Sequence, residues 1–203
     1  MDTDEFTPGD AAPLKVAAGI AADEPHLLFI GIFVEQKGVT DLARALVELD
    51  TRGIDFRATL LGHGPDDAEV RATVAPLGEK VRFRLPVPHE QLVEVFRSAD
   101  LFVLPSRREG VGLLVCLESL ACGVPVACGR AGGLPELVRD GENGALFEPN
   151  DPVGMADVVQ RLLGNPAELA RLAGAARDSA LPYSESEQAE RVFRVYEECA
   201  GCK

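Results

Sequence analysis

Two hydrophobic patterns alternate along the chain. From residue 25 onward, short apolar runs give way to segments whose apolar residues recur every three or four positions. The short runs are typical of strands buried in parallel sheets, and the longer period is typical of amphipathic helices. The predicted strands are Leu27–Phe33, Phe56–Leu61, Val81–Leu85, Leu101–Leu104, Val124–Cys128 and Ala145–Phe147. The predicted helices are Thr40–Leu49, Asp66–Leu77, Glu90–Ser98, Leu113–Ala121, Pro135–Val138, Val153–Leu163, Ala167–Ala180 and Glu185–Cys199.

This alternation predicts the fold class. Strands separated by helices indicate βαβ units with right-handed crossovers. We therefore expect an α/β fold, a Rossmann-like, doubly wound parallel sheet of about six strands with helices on both faces. Ligands of such sheets bind outside the carboxyl ends of the strands, so the loops that follow the strands are the expected place for chemistry.

Composition and charge narrow the classes of function. The chain has 203 residues, 46% of them hydrophobic, which is enough for one globular domain with a sizeable core. The net charge of −13 argues against non-specific binding to nucleic acid or anionic lipid. The chain has no apolar run of about 18 residues, and acidic residues rather than a signal pattern follow Met1, so we expect a cytoplasmic protein.

Cysteine and histidine positions predict no metal site. Cys199 and Cys202 form one C-x-x-C pair, and a zinc site needs a second pair. The other three cysteines lie in apolar segments and are expected to be reduced, buried thiols: Cys116, Cys122 and Cys128. The three histidines share no ligand spacing: His26, His63 and His89.

The loop after the fourth predicted strand is a candidate anion site. It reads PSRREGVGL from Pro105 to Leu113, with two glycines immediately before a helix. Such glycines let backbone N–H groups approach a ligand, and a helix N-terminus favours an anion such as a diphosphate. Glu109 places a carboxylate in the same loop. From the loop alone, a tight strand-to-helix turn is an equally good interpretation.

Two charged residues elsewhere allow a functional and a structural interpretation. Glu118 lies in a largely apolar helix, so its carboxylate must reach solvent, a partner or a ligand such as a pair of ribose hydroxyls. Lys37 follows the first strand at the start of a helix, where a cation does not help the helix dipole and a bound phosphate would explain it. Taken singly, an exposed Glu118 and a solvated surface Lys37 explain the pattern without any ligand.

Taken together, the motifs resemble a known family. The segments LLFIGIFVEQKGV, LLGHGP, VRFRLPV, SADLFVLPSRREGVGLLVCLESLACGVPVA, GGLPELV and DGENGALFEPND occur in the order and spacing of the "group 1" retaining, nucleotide-sugar-dependent glycosyltransferases. The similarity covers nearly the whole chain. It implies one half of a GT-B fold, the C-terminal half that binds the donor sugar. Residues 1–24 then correspond to an interdomain segment, 25–183 to the Rossmann-like nucleotide-sugar domain and 184–203 to a closing helix.

The resemblance also implies roles for individual residues. Lys37 would hold the diphosphate and Glu109 would contact the donor sugar, and these two are the expected catalytic residues. Glu118 would bind the ribose, and the loop around Val87 would lie by the base. Backbone groups complete the expected donor site: Gly31, Gly110, Val111, Gly112 and Leu113. Neither a metal nor another cofactor is expected, because a positive diphosphate site replaces the metal.

The implied partners are the nucleotide sugar and an N-terminal acceptor domain that this chain does not contain. An apolar docking surface is then expected near the closing helix. Nucleic acid is not an expected partner, and peripheral membrane contact is expected only through that N-terminal domain.

Three departures from the family pattern affect the expected donor-binding site. Ile32 occupies the position where the family has an arginine, so one of two cations for the leaving diphosphate is missing. Eight residues instead of seven separate Glu109 from Glu118, and one helical residue turns a side chain by about 100°. We expect the distortion between Gly112 and Val115. The third strand ends in Leu85 and Pro86, where the family usually has a glycine.

The first hypothesis is sugar transfer with retention of configuration by the full-length parent, the isolated chain being inactive because half of the cleft is missing. The second is a catalytically degenerate nucleotide-sugar-binding module or partner subunit. A dinucleotide-dependent oxidoreductase is disfavoured, since no G-x-G-x-x-G follows the first strand.

Overall fold

The computed structural model describes residues 1–108 and 113–201 of the chain. Within these residues the strands are β1 (His26–Ile30), β2 (Arg57–Leu61), β3 (Val81–Arg84), β4 (Leu101–Leu104), β5 (Val126–Gly129) and β6 (Gly144–Phe147). The helices are α1 (Ala11–Ala17), α2 (Val39–Thr51), α3 (Asp67–Val74), α4 (His89–Arg97), α5 (Leu113–Ala121), α6 (Leu134–Leu137), α7 (Pro152–Leu163), α8 (Pro166–Ala180) and α9 (Glu185–Gly201). Short 3₁₀ segments lie at Glu35–Lys37, Ala75–Lys80 and Leu181–Tyr183.

The strands form one parallel sheet in the order β3-β2-β1-β4-β5-β6. Leu28 of β1 pairs with Thr59 of β2 on one side and with Phe102 of β4 on the other. The chain therefore builds outward from β1 to β3 and then returns to start β4 beside β1. This confirms the predicted doubly wound, six-stranded sheet.

Side chains of the sheet alternate between two cores. Leu27 and Phe29 of β1 pack on the face covered by α2, α3 and α7, whereas Leu28 packs on the face covered by α4, α5 and α6. Helix α8 closes the end of both cores, with Leu172 in the first and Ala176 in the second. Because helices cover both faces, the central strands are largely apolar, as in β4 (LFVL), whereas the edge strand β3 (VRFR) alternates apolar residues with arginines.

The N-terminal segment packs against the second core. Phe6 is buried, and its ring meets the ring of Phe96 edge-on at 6.2 Å. Arg97 Nε donates to the carbonyl of Thr7 at 2.6 Å, and Arg177 donates to the carbonyl of Phe6 at 2.8 Å. One aromatic side chain and two arginines thus attach this segment to α4 and α8.

Helix α1 lies within residues 1–24, where the hydrophobic pattern predicts no helix. Its seven residues are too few to show an apolar period. The side chain of Asp10 caps the helix by accepting from the N–H of Ala12 at 3.0 Å. Lys15 is buried, although a lysine is usually expected in solvent. Its ammonium pairs with Asp100 at 2.5 Å and so joins α1 to the segment before β4.

Several predicted boundaries differ from the structure; for example, β1 ends at Ile30 rather than Phe33. Two of the differences have local reasons. The predicted helix Asp66–Leu77 ends at Val74 and continues only as 3₁₀ structure through Lys80, interrupted at Gly78, whose φ of 56° is not helical. Strand β5 begins at Val126 rather than Val124, because Pro125 has no N–H to donate to the ladder.

Helix α9 leaves an apolar stripe in solvent. Four of its large hydrophobic side chains are more than half exposed: Val192, Phe193, Val195 and Tyr196. This stripe is the apolar surface expected near the closing helix. No helix in the described part of the chain combines the length and the apolar character that crossing a bilayer requires.

Candidate functional site

A crevice lies at the carboxyl edge of the sheet, between the ends of β1 and β4. The strand order reverses between β1 and β4, so the loop after β1 leads to α2 on one face and the loop after β4 leads to α5 on the other. Such a topological switch point is where doubly wound sheets bind ligands. The residues that follow β1 and β4 are those the sequence marks as candidates.

Backbone hydrogen bonds join these two loops. The carbonyl of Gln36 accepts from the N–H of Arg107 at 2.9 Å and from the N–H of Arg108 at 3.4 Å. Gly38 has φ 67°, and a Cβ on it would lie 2.0 Å from the carbonyl oxygen of Pro105. Only glycine allows this approach, which brings the Lys37 segment beside the loop that contains Glu109.

A buried ion pair reinforces the junction. Arg107 donates to both carboxylate oxygens of Asp41, at 2.8 and 3.0 Å, and to Glu35 at 3.0 Å. Asp41 is buried in the first turn of α2, and its hydrogen bonds raise the pKa of Arg107, with burial opposing them. The charge of Arg107 is therefore engaged by protein, whereas the Arg108 side chain is exposed and has no ion pair within residues 1–108 and 113–201. A shallow pocket of about 330 Å³ lies here, lined by Glu35, Gln36, Arg107, Arg108 and Asn150.

The loop after β1 carries three predicted residues. The N–H of Gly31 bonds the carbonyl of Leu61 at 3.0 Å, which ties this loop to the end of β2. Lys37 closes the 3₁₀ turn Glu35–Lys37 immediately before Gly38, and α2 itself begins at Val39. Ile32, at the position of the family's arginine, is 61% exposed, so an arginine has room there.

Glu118 lies on α5 with a carboxylate that is almost fully buried. Its side chain is 5% exposed, and its Oε1 lies 3.2 Å from Nε2 of His89. Burial raises the pKa of Glu118 above its usual range, and His89 partly opposes that shift. The structural interpretation of Glu118 as an exposed residue is therefore wrong. The observed carboxylate requires a partner, and the second oxygen keeps acceptor capacity beyond the contact with His89.

The remaining candidates are only partly described. Leu113 begins α5, and one of its methyl groups would lie 3.3 Å from a Cβ placed on Gly133, so the loops after β4 and β5 meet here. Val87 is half-buried in the loop after β3. Four candidates lie outside the described residues: Glu109, Gly110, Val111 and Gly112. Helix α5 is continuous from Leu113, so the described part of the interval expected to be distorted contains no break.

Sequence reasoning gave no role to His89. This histidine is the first residue of α4, directly after the loop of Val87, and its ring contacts Glu118. The two residues are 29 positions apart. No spacing rule could pair them, because the contact depends on how α4 and α5 pack on one face of the sheet.

The fold and the crevice define one Rossmann-like half of a GT-B glycosyltransferase. Residues 12–179 match the model of the family described as glycosyl transferases group 1, and the chain belongs to that family.

Individual relatives show how much of a longer protein the chain represents. It is 36% identical over 207 residues to a D-inositol 3-phosphate glycosyltransferase 1 of Catenulispora acidiphila, covering 97% of this chain and 49% of that protein. It is 35% identical to a GDP-mannose-dependent alpha-(1-6)-phosphatidylinositol monomannoside mannosyltransferase of Mycolicibacterium smegmatis, covering 89% of this chain and 50% of that protein. Among solved structures, the sucrose-phosphate synthase of Thermosynechococcus elongatus superposes with a TM-score of 0.86 at 28% identity, over 100% of this chain and 52% of that one. The chain thus spans about half the length of these relatives.

Replacing Gly38 with alanine tests the close approach of the two loops. We expect Gly38→Ala to lower the free energy of unfolding by more than about 3 kcal/mol, because its Cβ would collide with the Pro105 carbonyl in addition to the left-handed strain. Gly53→Ala is the matched control, since Gly53 has φ 73° and nothing within 4 Å of its added Cβ. That control is expected to cost about 1 kcal/mol in urea unfolding. Equal losses for the two variants would contradict the close approach.

Replacing Glu118 with glutamine tests the cost of burying its charge. A carboxyl whose pKa is raised on folding favours the folded state when protonated, and this contribution is lost as pH rises through the folded pKa. At pH 7 we therefore expect Glu118→Gln to melt roughly 2–4 °C above wild type. The gain should shrink below about pH 4, the ordinary range of a glutamate, where the wild-type carboxyl is protonated too. Glu94→Gln, at an exposed position of α4, should leave the melting temperature unchanged. A lower melting temperature for Glu118→Gln at pH 7 would refute this account.

Proposed function

We propose that this chain is the donor-binding half of a retaining glycosyltransferase that moves a sugar from a nucleotide-diphosphate sugar to an acceptor hydroxyl. The observation that carries the proposal is the junction of the loops after β1 and β4. There the Gln36 carbonyl bonds the amides of Arg107 and Arg108, so that Lys37 lies next to the loop of Glu109. Membership of the group 1 family supplies the reaction class.

Charge at this junction suits a diphosphate leaving group. Lys37 would hold the diphosphate, helped by the amides of residues 110–113 and by the N-terminus of α5. Cations and oriented amides that stabilise developing phosphate charge lower the barrier to departure of the nucleotide. Under this proposal no metal or other cofactor takes part in the reaction.

The other side chains would position the donor. Glu109 would contact the transferred sugar, and the acceptor hydroxyl would attack from the face that the diphosphate leaves, which retains configuration. The buried carboxylate of Glu118 would accept hydrogen bonds from the ribose hydroxyls. Val87, in the loop directly before α4, would lie beside the base, and Gly31 would let the backbone after β1 approach the donor.

The acceptor would bind a second domain that faces this one. The relatives are about twice as long as this chain, and the exposed stripe of α9 offers an apolar surface for such a domain. The name of the Catenulispora relative makes an inositol phosphate the first acceptor to test on a full-length protein. The isolated chain should give no meaningful transfer, because half of the cleft is missing.

Titration calorimetry of this chain with UDP, GDP and ADP sugars tests donor binding. We expect one of them to bind, and Lys37→Ala to weaken that binding about 10- to 100-fold through loss of a phosphate contact. Lys80→Ala is the control, because Lys80 pairs with Asp50 and precedes β3, at the opposite edge of the sheet. Failure of all three nucleotides to bind, or equal losses for both lysine variants, would refute the proposed site.

Ile32 supports a second candidate, a degenerate nucleotide-sugar-binding module. With one expected cation missing, the chain would bind the donor and the full-length protein would not turn it over. Turnover of the donor by the full-length protein would eliminate this candidate.

Restoring the missing cation gives a gain-of-function test. We expect Ile32→Arg to tighten binding of the nucleoside diphosphate about 3- to 10-fold, since a second cation would face the same phosphates. Val16→Arg is the matched control, because Val16 is also 61% exposed but lies on α1, where the neighbouring Lys15 pairs with Asp100, directly before β4. The role assigned to position 32 fails if the control variant tightens binding equally.

A further inference from the structure

We propose that His89 is a positioning residue of the nucleotide site, which holds the Glu118 carboxylate in place for the ribose. The inference rests on the proposed function and adds to it a residue that the motifs do not contain. His89 does not touch the sugar being transferred in this scheme; it acts through the side chain of Glu118.

Three side chains lie around the imidazole ring. Nε2 of His89 lies 3.2 Å from Oε1 of Glu118, and Nδ1 lies 3.8 Å from Oε2 of Glu5. The ring also meets the ring of Phe6 edge-on, with centroids 5.2 Å apart. The hydrogen bond at Nε2 and the ring contact with Phe6 orient the imidazole toward Glu118, while Glu5 lies beyond hydrogen-bond distance of the other nitrogen.

The Glu118 carboxylate needs this partner because burial disfavours its charge. Within the described chain, His89 makes the one hydrogen bond of the Glu118 side chain, which is 5% exposed. Without it, the carboxyl would take up a proton or turn toward solvent. A protonated carboxyl has one oxygen that donates and is a weaker acceptor than a carboxylate, so it would bind the two ribose hydroxyls less tightly.

Exposure argues against a purely structural role for His89. Its side chain is 56% exposed, so it adds little apolar burial to the packing of α4 against α5. Its position supports a role at the site, because it directly follows the loop of Val87, where the base is expected, and its ring reaches the carboxylate expected to bind the ribose. One histidine thereby connects the two ends of the proposed nucleoside site.

The test is a double-mutant cycle on this chain with two kinds of ligand. UDP, GDP and ADP are titrated by calorimetry, and the tightest of them is compared with its 2′,3′-dideoxy analogue, which lacks both ribose hydroxyls. The variants are His89→Ala, His89→Gln, Glu118→Ala and the His89→Ala/Glu118→Ala double variant. Gln91→Ala, a neutral change at an exposed position in the same helical turn, is the control, and melting temperatures report folding.

We expect His89→Ala to weaken binding of the ribonucleotide about 10-fold, the size of one lost hydrogen bond to a charged group. His89→Gln should remain within about 3-fold of wild type, because its amide can also donate to the carboxylate. The double variant should bind no more weakly than Glu118→Ala alone. Wild type and His89→Ala should bind the dideoxy analogue equally.

The possible contrary results separate a failure of the role of His89 from a failure of the proposed function. An equal loss for the ribonucleotide and its dideoxy analogue, additive losses in the cycle, or no effect of His89→Ala would overturn the role of His89 while leaving the proposed function intact. If wild type binds none of the three nucleotides, the proposed function fails and this inference fails with it.

Discussion

The candidate site depends on one backbone junction, at which the carbonyl of Gln36 bonds the amides of Arg107 and Arg108. Because β1 and β4 send their chains to opposite faces of the sheet, the first residues after the two strands would otherwise diverge. Gly38 permits the close approach, and the ion pair of Arg107 with buried Asp41 maintains it. Without this junction, the crevice at the switch point would not bring the Lys37 segment and the loop of Glu109 together.

Between α4 and α5, the protein keeps a charged side chain where stability alone would favour an apolar one. Glu118 lies in an apolar helix, and its burial raises its pKa. Within the described residues His89 is the one polar partner of this carboxylate, so its burial is costly to folding, and groups of this kind are often found at functional sites. The exposed apolar stripe of α9 also lowers stability, because apolar side chains in solvent are unfavourable unless another surface covers them.

The N-terminal segment contacts His89 as well as the second core. Phe6 packs on Phe96 and also on the ring of His89, and Glu5 lies near the other nitrogen of that ring. A segment that the resemblance assigns to the link between two domains therefore contacts the residue that supports Glu118.

The sequence by itself determined the strand and helix order, the doubly wound sheet and the loops that carry Lys37 and Glu109, because these follow from local periodicity and from rules of chain connection. It missed α1, whose seven residues show no period, and placed the ends of α3 and β5 wrongly, where Pro76, Gly78 and Pro125 override the apolar pattern. Only the tertiary structure decided that Glu118 is buried and that His89, 29 residues away, is its partner. Burial and long-range contact arise from the packing of α4 and α5 on a common face, and no local pattern encodes which side chains meet there.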